Sequence, residues 1–139
     1  MANAHWNLWK QEVIQGSANT SLAGTVRACF LDTAVYTFSQ AHQFFSSLTG
    51  AYPSTRAGCP SLVSKTYTTG TFDAADITFS AFSNGSVSVE ALALYIDDAT
   101  ADASSRLVLF LDTSITGIPF TPSGSDVIVQ WNAGGIFVL

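Results

Sequence analysis

A chain of 139 residues with a formal net charge of -5 fits a single domain, since one hydrophobic core commonly spans about 100 to 150 residues. Charged residues make up 11% of it against roughly 25% in an ordinary soluble domain, so surface polarity must come from Ser, Thr, Asn and Gln. Lys10, Arg27, Arg56, Lys65 and Arg106 are its only cations and are dispersed, which excludes a nucleic-acid partner that would need clustered positive charge.

No apolar run approaches the eighteen or so residues of a membrane span, which argues against a membrane partner. A weakly charged surface with positive mean hydropathy suits a subunit that lies against other protein. The opening Met-Ala-Asn-Ala-His-Trp lacks a basic segment followed by an apolar one, so no secretory signal is expected. Cys29 and Cys59 could pair in principle, but without that route two buried free thiols are expected, and Asn19-Thr-Ser and Asn84-Gly-Ser are expected to be chance matches to the glycosylation pattern.

In chain order, residues 1–21 read as an N-terminal arm. Trp6, Trp9 and Val13 fall at helical spacing and Gly16 is a stop, predicting a short amphipathic helix. Too short to hold alone, it must lay these apolar side chains either on this domain's own sandwich or on a neighbouring subunit. We take Trp6, Trp9 and Val13 as candidate partner-binding residues, docking on a neighbouring subunit. Residues 25–139 form the domain body. Thr25 to Leu31 alternates as a first strand. Ser39 to Gly50 offers Ser39 as an N-cap, Phe44, Phe45 and Leu48 as a buried stripe and Gly50 as a stop, predicting one or two helical turns. Ala51 to Ser61, with Pro53, Gly58 and Pro60, reads as loop.

Strands resume with Leu62 to Tyr67, Thr71 to Asp73 and Asp76 to Phe82, and Asn84-Gly85 makes a tight turn. Val87 to Asp112 is the expected centre, a hairpin whose strands are apolar on both faces. Val87, Val89, Ala91, Ala93 and Tyr95 oppose Leu92, Leu94 and Ile96, and Leu107, Leu109 and Leu111 oppose Val108 and Phe110. Both strands close on an aspartate, and Asp98 to Ser105 has the composition of an exposed loop. Thr113 to Ser125 reads as an irregular crossing. Asp126 to Trp131, a turn at Asn132 to Gly135, and Ile136 to Leu139 close the chain as strand, turn and strand. The expected fold class is all-β, a single jelly-roll-like β-sandwich of about seven or eight strands with one or two short helices near the N-terminus.

Catalytic constellations are not evident. There is no Gly-x-Ser-x-Gly elbow, and only His5 and His42 could act as base. Asp97, Asp98 and Asp102 crowd one loop, with Asp112 near its base, but lack the spacing, the Gly and the terminal Glu of a calcium loop. A solvated acidic loop that blunts a sheet edge is the reading we adopt. No metal, cofactor or catalytic residue is therefore assigned. Glu90, among apolar neighbours, is expected to pair with Arg106. Trp6, Trp9, Trp131, Tyr36, Tyr52, Tyr67 and Tyr95 could build a sugar-stacking platform, though aromatics at alternate strand positions more often fill a core.

Four stretches carry a resemblance. They are Asp32-Thr-Ala-Val-Tyr-Thr-Phe-Ser with His42-Gln-Phe-Phe-Ser; Phe72-Asp-Ala-Ala-Asp-Ile-Thr-Phe; Ala93-Leu-Tyr-Ile-Asp-Asp with Ser105-Arg-Leu-Val-Leu-Phe-Leu-Asp; and the ending Gly124-Ser-Asp-Val-Ile-Val-Gln-Trp-Asn-Ala-Gly-Gly-Ile-Phe-Val-Leu. In this order, over about Val26 to Leu139, they resemble small structural proteins of tailed bacteriophages, in particular capsid cement or decoration proteins. The resemblance implies a virion component on the capsid surface, assembled in the host cytoplasm. It would bind the major capsid protein across subunit joints, as a homo-oligomer (dimer or trimer), without enzymatic activity. A neck or tail component is the nearest alternative, and a glycan-binding β-sandwich for host attachment the rival from another class.

Overall fold

The computed structural model describes residues 3–112 and 115–139; the start of the crossing expected after Asp112, Thr113 and Ser114, lies outside them. In chain order the elements are β1 (Ala4–His5), α1 (Asn7–Gln15), β2 (Thr25–Leu31), β3 (Ala51–Tyr52), β4 (Thr71–Phe72), β5 (Ile77–Phe79), β6 (Ala91–Asp97), β7 (Arg106–Leu111), β8 (Val127–Val129) and β9 (Phe137–Val138), with 3₁₀ turns at Phe45–Ser47, Arg56–Gly58 and Thr68–Gly70. The protein is mostly β. A five-stranded sheet runs β1-β7-β6-β2-β3, and β4 with β9 and β5 with β8 form two small sheets. Every pairing is antiparallel.

All seven residues of β6 are buried, which is why a strand apolar on both faces sits at the middle of the sheet. β2 pairs with it along its whole length, from Thr25 opposite Asp97 to Leu31 opposite Ala91. Because successive side chains point to opposite faces, the two faces found two separate cores. Leu92, Leu94 and Ile96 join Ala28 and Phe30 in one, completed by Phe72, Ile77, Phe79 and the partly buried Val127, Val129 and Phe137 of the small sheets. Ala91, Ala93 and Tyr95 join Cys29 and Leu31 in the other, closed by Tyr36, Phe45, Leu48 and Cys59 of the irregular chain between β2 and β4. Each buried Leu or Ile contributes about 1.5 to 3 kcal/mol, so this strand alone anchors both layers.

β7 departs from the alternation read from its sequence. Leu109 opposes Leu94, but Leu107 opposes Tyr95, leaving Val108 as an extra residue in a β-bulge. Leu107 and Phe110 therefore share the Tyr95 face, and Val108 and Leu109 share the Leu94 face. The bulge also changes who covers the strand's outer edge. Leu107 donates its amide to the Gln43 carbonyl at 3.0 Å, and the Val108 carbonyl accepts from the Trp6 amide at 3.1 Å. Beyond it β1 takes over, with His5 opposite Leu109 and Ala4 opposite Phe110.

Several expected elements are shorter than their patterns. The central strand begins at Ala91 rather than Val87, because Val89 leaves the sheet to exchange both backbone hydrogen bonds with Phe120. Leu62 to Tyr67 is not a strand: Ser61 bridges Arg27, Thr66 bridges Asp73, and Ser64 between them has a φ of 52°. From Ser39 to Gly50 only Phe45–Ser47 winds. Ser39 does start a turn there, its hydroxyl accepting from the Ala41 amide and its carbonyl from His42. The stretch expected as loop after Gly50 contains the edge strand β3. The two closing strands, β8 and β9, do not pair with each other but with β5 and β4.

Candidate functional site

The arm is part of the fold. α1 carries Trp9 and Val13, with Trp6 just before it as the N-cap residue, and ends where expected, at Gly16, whose φ of 68° lets its amide reach Val13 O and the Ser17 amide reach Glu12 O, a Schellman cap. Trp6 is fully buried and Trp9 is 2% exposed. The Trp6 indole donates to Ser39 O at 2.9 Å and packs on Phe38 and Phe110. The Trp9 indole donates to Thr20 O at 3.1 Å and packs on His5 and Phe137. Their outward orientation is thus corrected: both rings are held by this chain's own core, and a ring so enclosed has no surface for a neighbour. Of the three candidate residues only Val13 reaches the surface, next to the exposed Ile14.

The aspartate closing β6 is not in water either. Asp97 is buried, and its carboxylate meets Arg27 Nε at 2.6 Å and the Arg56 guanidinium. Burial would raise its pKa, but the Ala99 amide and the two guanidiniums outweigh that and hold it below the usual range. Asp98 is held at about 2, first by the Ser104 hydroxyl and also by the Thr100 and Ala101 amides. Asp102 reaches Arg56 at 3.4 Å. These carboxylates are committed to cations and to turn amides. Among the described residues no group of three or more acidic, His or Cys side chains is placed to hold a metal.

The Glu90–Arg106 pair is corrected too. Glu90 accepts from the Thr33 amide at 2.9 Å and from its hydroxyl at 3.2 Å, while Arg106 lies 3.8 Å from Glu12 and over the Phe44 ring. Burial pushes the Glu90 pKa up, yet Ser88 and Thr33 bring it below its ordinary value. That is the wrong direction for the protonated acid of a glycosidase. His42 bonds the Tyr36 hydroxyl at 2.9 Å, and His5 is stacked against Trp9.

A half-open groove of about 680 Å³ lies where Phe30, Leu92 and Leu111 of the main sheet meet Ile118, Phe120 and Trp131. None of its described lining residues carries a titratable side chain, so it offers shape without acid-base chemistry. Ile128, part of its lining, is 62% exposed on β8 opposite Thr78, and Val138, opposite Thr71, and Leu139 are 62% and 67% exposed. Of the seven aromatics proposed for a sugar platform, Trp6, Trp9, Tyr36 and Tyr95 are buried and Tyr67 alone is exposed.

Compared with protein-family models, with curated proteins and with solved structures, the chain matches none. Its functional reading therefore stands on its own residues. Among the described residues the cysteines form a further constellation: Cys29 and Cys59 are both buried and free and belong to the same core. No spacing rule pairs residues thirty apart, so sequence reasoning could not bring them together.

Proposed function

We propose that this chain is a virion structural protein of the capsid cement or decoration type, binding the major capsid protein across subunit joints as a small homo-oligomer. The observation that carries the reading is the surface. Branched aliphatic side chains stand exposed, Ile128 and Val138 on short strands and Leu139 just after one, on a chain with few charges to discourage contact. The buried Asp97 carboxylate is spent on Arg27, Arg56 and the Ala99 amide, and the half-open groove beside Phe30 and Leu92 has no titratable side chain among its described lining. Contact area, not chemistry, is then the mechanism, and many copies on one shell make modest individual contacts sufficient.

The fold belongs to the same proposal. We read the small sheets as the second layer of a jelly-roll-like β-sandwich laid over the Leu92–Leu94–Ile96 face, because both contribute to that core. A glycan-binding role would call for exposed coplanar rings, and burial of four of the seven candidates favours cement over it.

Shells lacking the protein should rupture at a lower temperature than shells to which the purified protein has been added back. Equal rupture temperatures, with the protein bound, would leave no cementing role.

A further inference from the structure

The edge of the main sheet beyond β2 is discontinuous. β3 pairs Tyr52 with Phe30 and Ala51 with Leu31; the chain then leaves the ladder through the Arg56–Gly58 turn and returns. On return, Ser61 bridges Arg27, with the Ala28 amide donating to Pro60 O at 3.1 Å and the Leu62 amide to Val26 O at 2.8 Å. Continued by two residues, this register sets Cys59 opposite Cys29. Arg27 and Ser61 are flanked by these bonds rather than joined by them, so theirs is a non-hydrogen-bonded pair; beyond Pro60, which has no amide to return a bond to Ala28 O, Cys29 and Cys59 would take the next such position if the register carried on. Cα atoms in such pairs approach to about 4.5 Å, within the range of roughly 4.4 to 6.8 Å that a disulfide spans. Both side chains point into the same core.

We propose that Cys29 and Cys59 are a latent cross-strand disulfide site, a dithiol that a small disulfide oxidant converts into a bond tying the sheet's broken edge to β2. The thiols are unequal. Burial holds the Cys29 thiol up, while the neighbouring Cys29 side chain, then Tyr95 and Arg27, bring Cys59 down despite its burial. Cys59 follows the Arg56–Gly58 turn, its sulfur lying 3.4 Å from both Pro53 O and Thr55 O, whereas Cys29 lies inside β2, paired with Ala93 of β6. Cys59 is accordingly the attacking sulfur.

With glutathione disulfide as oxidant, the Cys59 thiolate attacks one glutathione sulfur, breaking its S–S bond and releasing one glutathione thiolate. The Cys29 thiolate then attacks the Cys59 sulfur of the mixed disulfide and displaces the second. Two electrons pass from the protein sulfurs to glutathione, and the two cysteine protons end on the two glutathione thiols.

The test uses the full chain, reduced and then held with excess glutathione disulfide, with and without low urea to open the edge. The expected product is a monomer lighter by two hydrogens, with no free thiol after denaturation. Its Tm lies roughly 10 °C above the reduced protein's, and dithiothreitol reverses both changes. Cys59→Ala should show no such rise, which ties the gain to the bond. Two thiols still free after the urea incubation, separate glutathione adducts on each cysteine, or disulfide-linked dimers would each overturn the proposal.

Discussion

Trp6 and Trp9, three residues apart, lie on opposite faces of the same sheet: Trp6 in the core with Tyr95 and Phe110, Trp9 in the core with Leu92 and Leu94. The chain crosses the sheet edge between them, with β1 and α1 as its two limbs, and so closes both cores at once. Trp6→Ala and Trp9→Ala should each cost about 3 to 5 kcal/mol of stability, a large part of the roughly 5 to 15 kcal/mol a domain has. Urea unfolding of each variant checks this, and a midpoint at the wild-type value would put that tryptophan outside the core.

Leu94 is fully buried at the centre of β6, with Ala28 and Leu109 as its cross-strand partners. Leu94→Asp places an unpaired charge there and should abolish folding, a penalty of several kcal/mol. Leu94→Ala should leave a folded protein weaker by about 3 kcal/mol. Circular dichroism separates the two outcomes.

How far the sequence was legible follows from which interactions are local. β2 could be read to the residue because its alternation is intact and both neighbours are strands. The faces of β6 could be read for the same reason. The bulge at Val108 could not, since Leu-Val-Leu-Phe-Leu alternates without flaw and the extra residue is forced by what lies beside it, the Trp6 amide and the Gln43 carbonyl. The 39–50 stretch had a helix's punctuation, but its amides were drawn off: Phe45 donates to Ser105 O and Ser46 to Asp102 O. Trp9 was correctly placed on a helix, Trp6 stands just before it as the extended N-cap residue, and both were turned toward a neighbour because a short amphipathic segment does not say whose surface it lies on. The Cys29–Cys59 meeting depends on a register that only the fold creates.

Asp97 and Asp98 give the protein an acid limit. Both carboxyls lie below their usual range, Asp98 at about 2. A depressed folded-state pKa contributes stability above the unfolded value, about 3.9, and loses it as pH falls through the folded one. Stability should therefore hold down to about pH 4 and fall off between there and about pH 2. Asp97→Asn, which leaves Arg27 and Arg56 facing a neutral group, should lower stability by about 2 kcal/mol at neutral pH and flatten that acid slope. An unchanged slope, followed by acid titration of the Tm, would remove Asp97 from the linkage.

Calcium should find no seat in the 97–102 loop, because Asp97 is already paired with Arg27 and Arg56 and Asp98 binds the amides of its own turn. Titration calorimetry is expected to show dilution heat alone. A saturable exotherm would mean the ion pairs open to admit the cation.

The outward apolar side chains should act on assembly and not on folding. Ile128→Asp combined with Val138→Asp changes two side chains that are each 62% exposed, so Tm should move little while retention on particles weakens. Lost Tm with normal retention would shift the contact surface elsewhere, to α1 around Val13 and Ile14.

The most direct measurement is the copy number of this protein in purified, intact particles, relative to the major capsid protein. A cement role predicts many copies, in a fixed ratio near that of the shell subunit and retained through repeated sedimentation. Absence from the particles, or a few copies confined to isolated necks or tails, would contradict it.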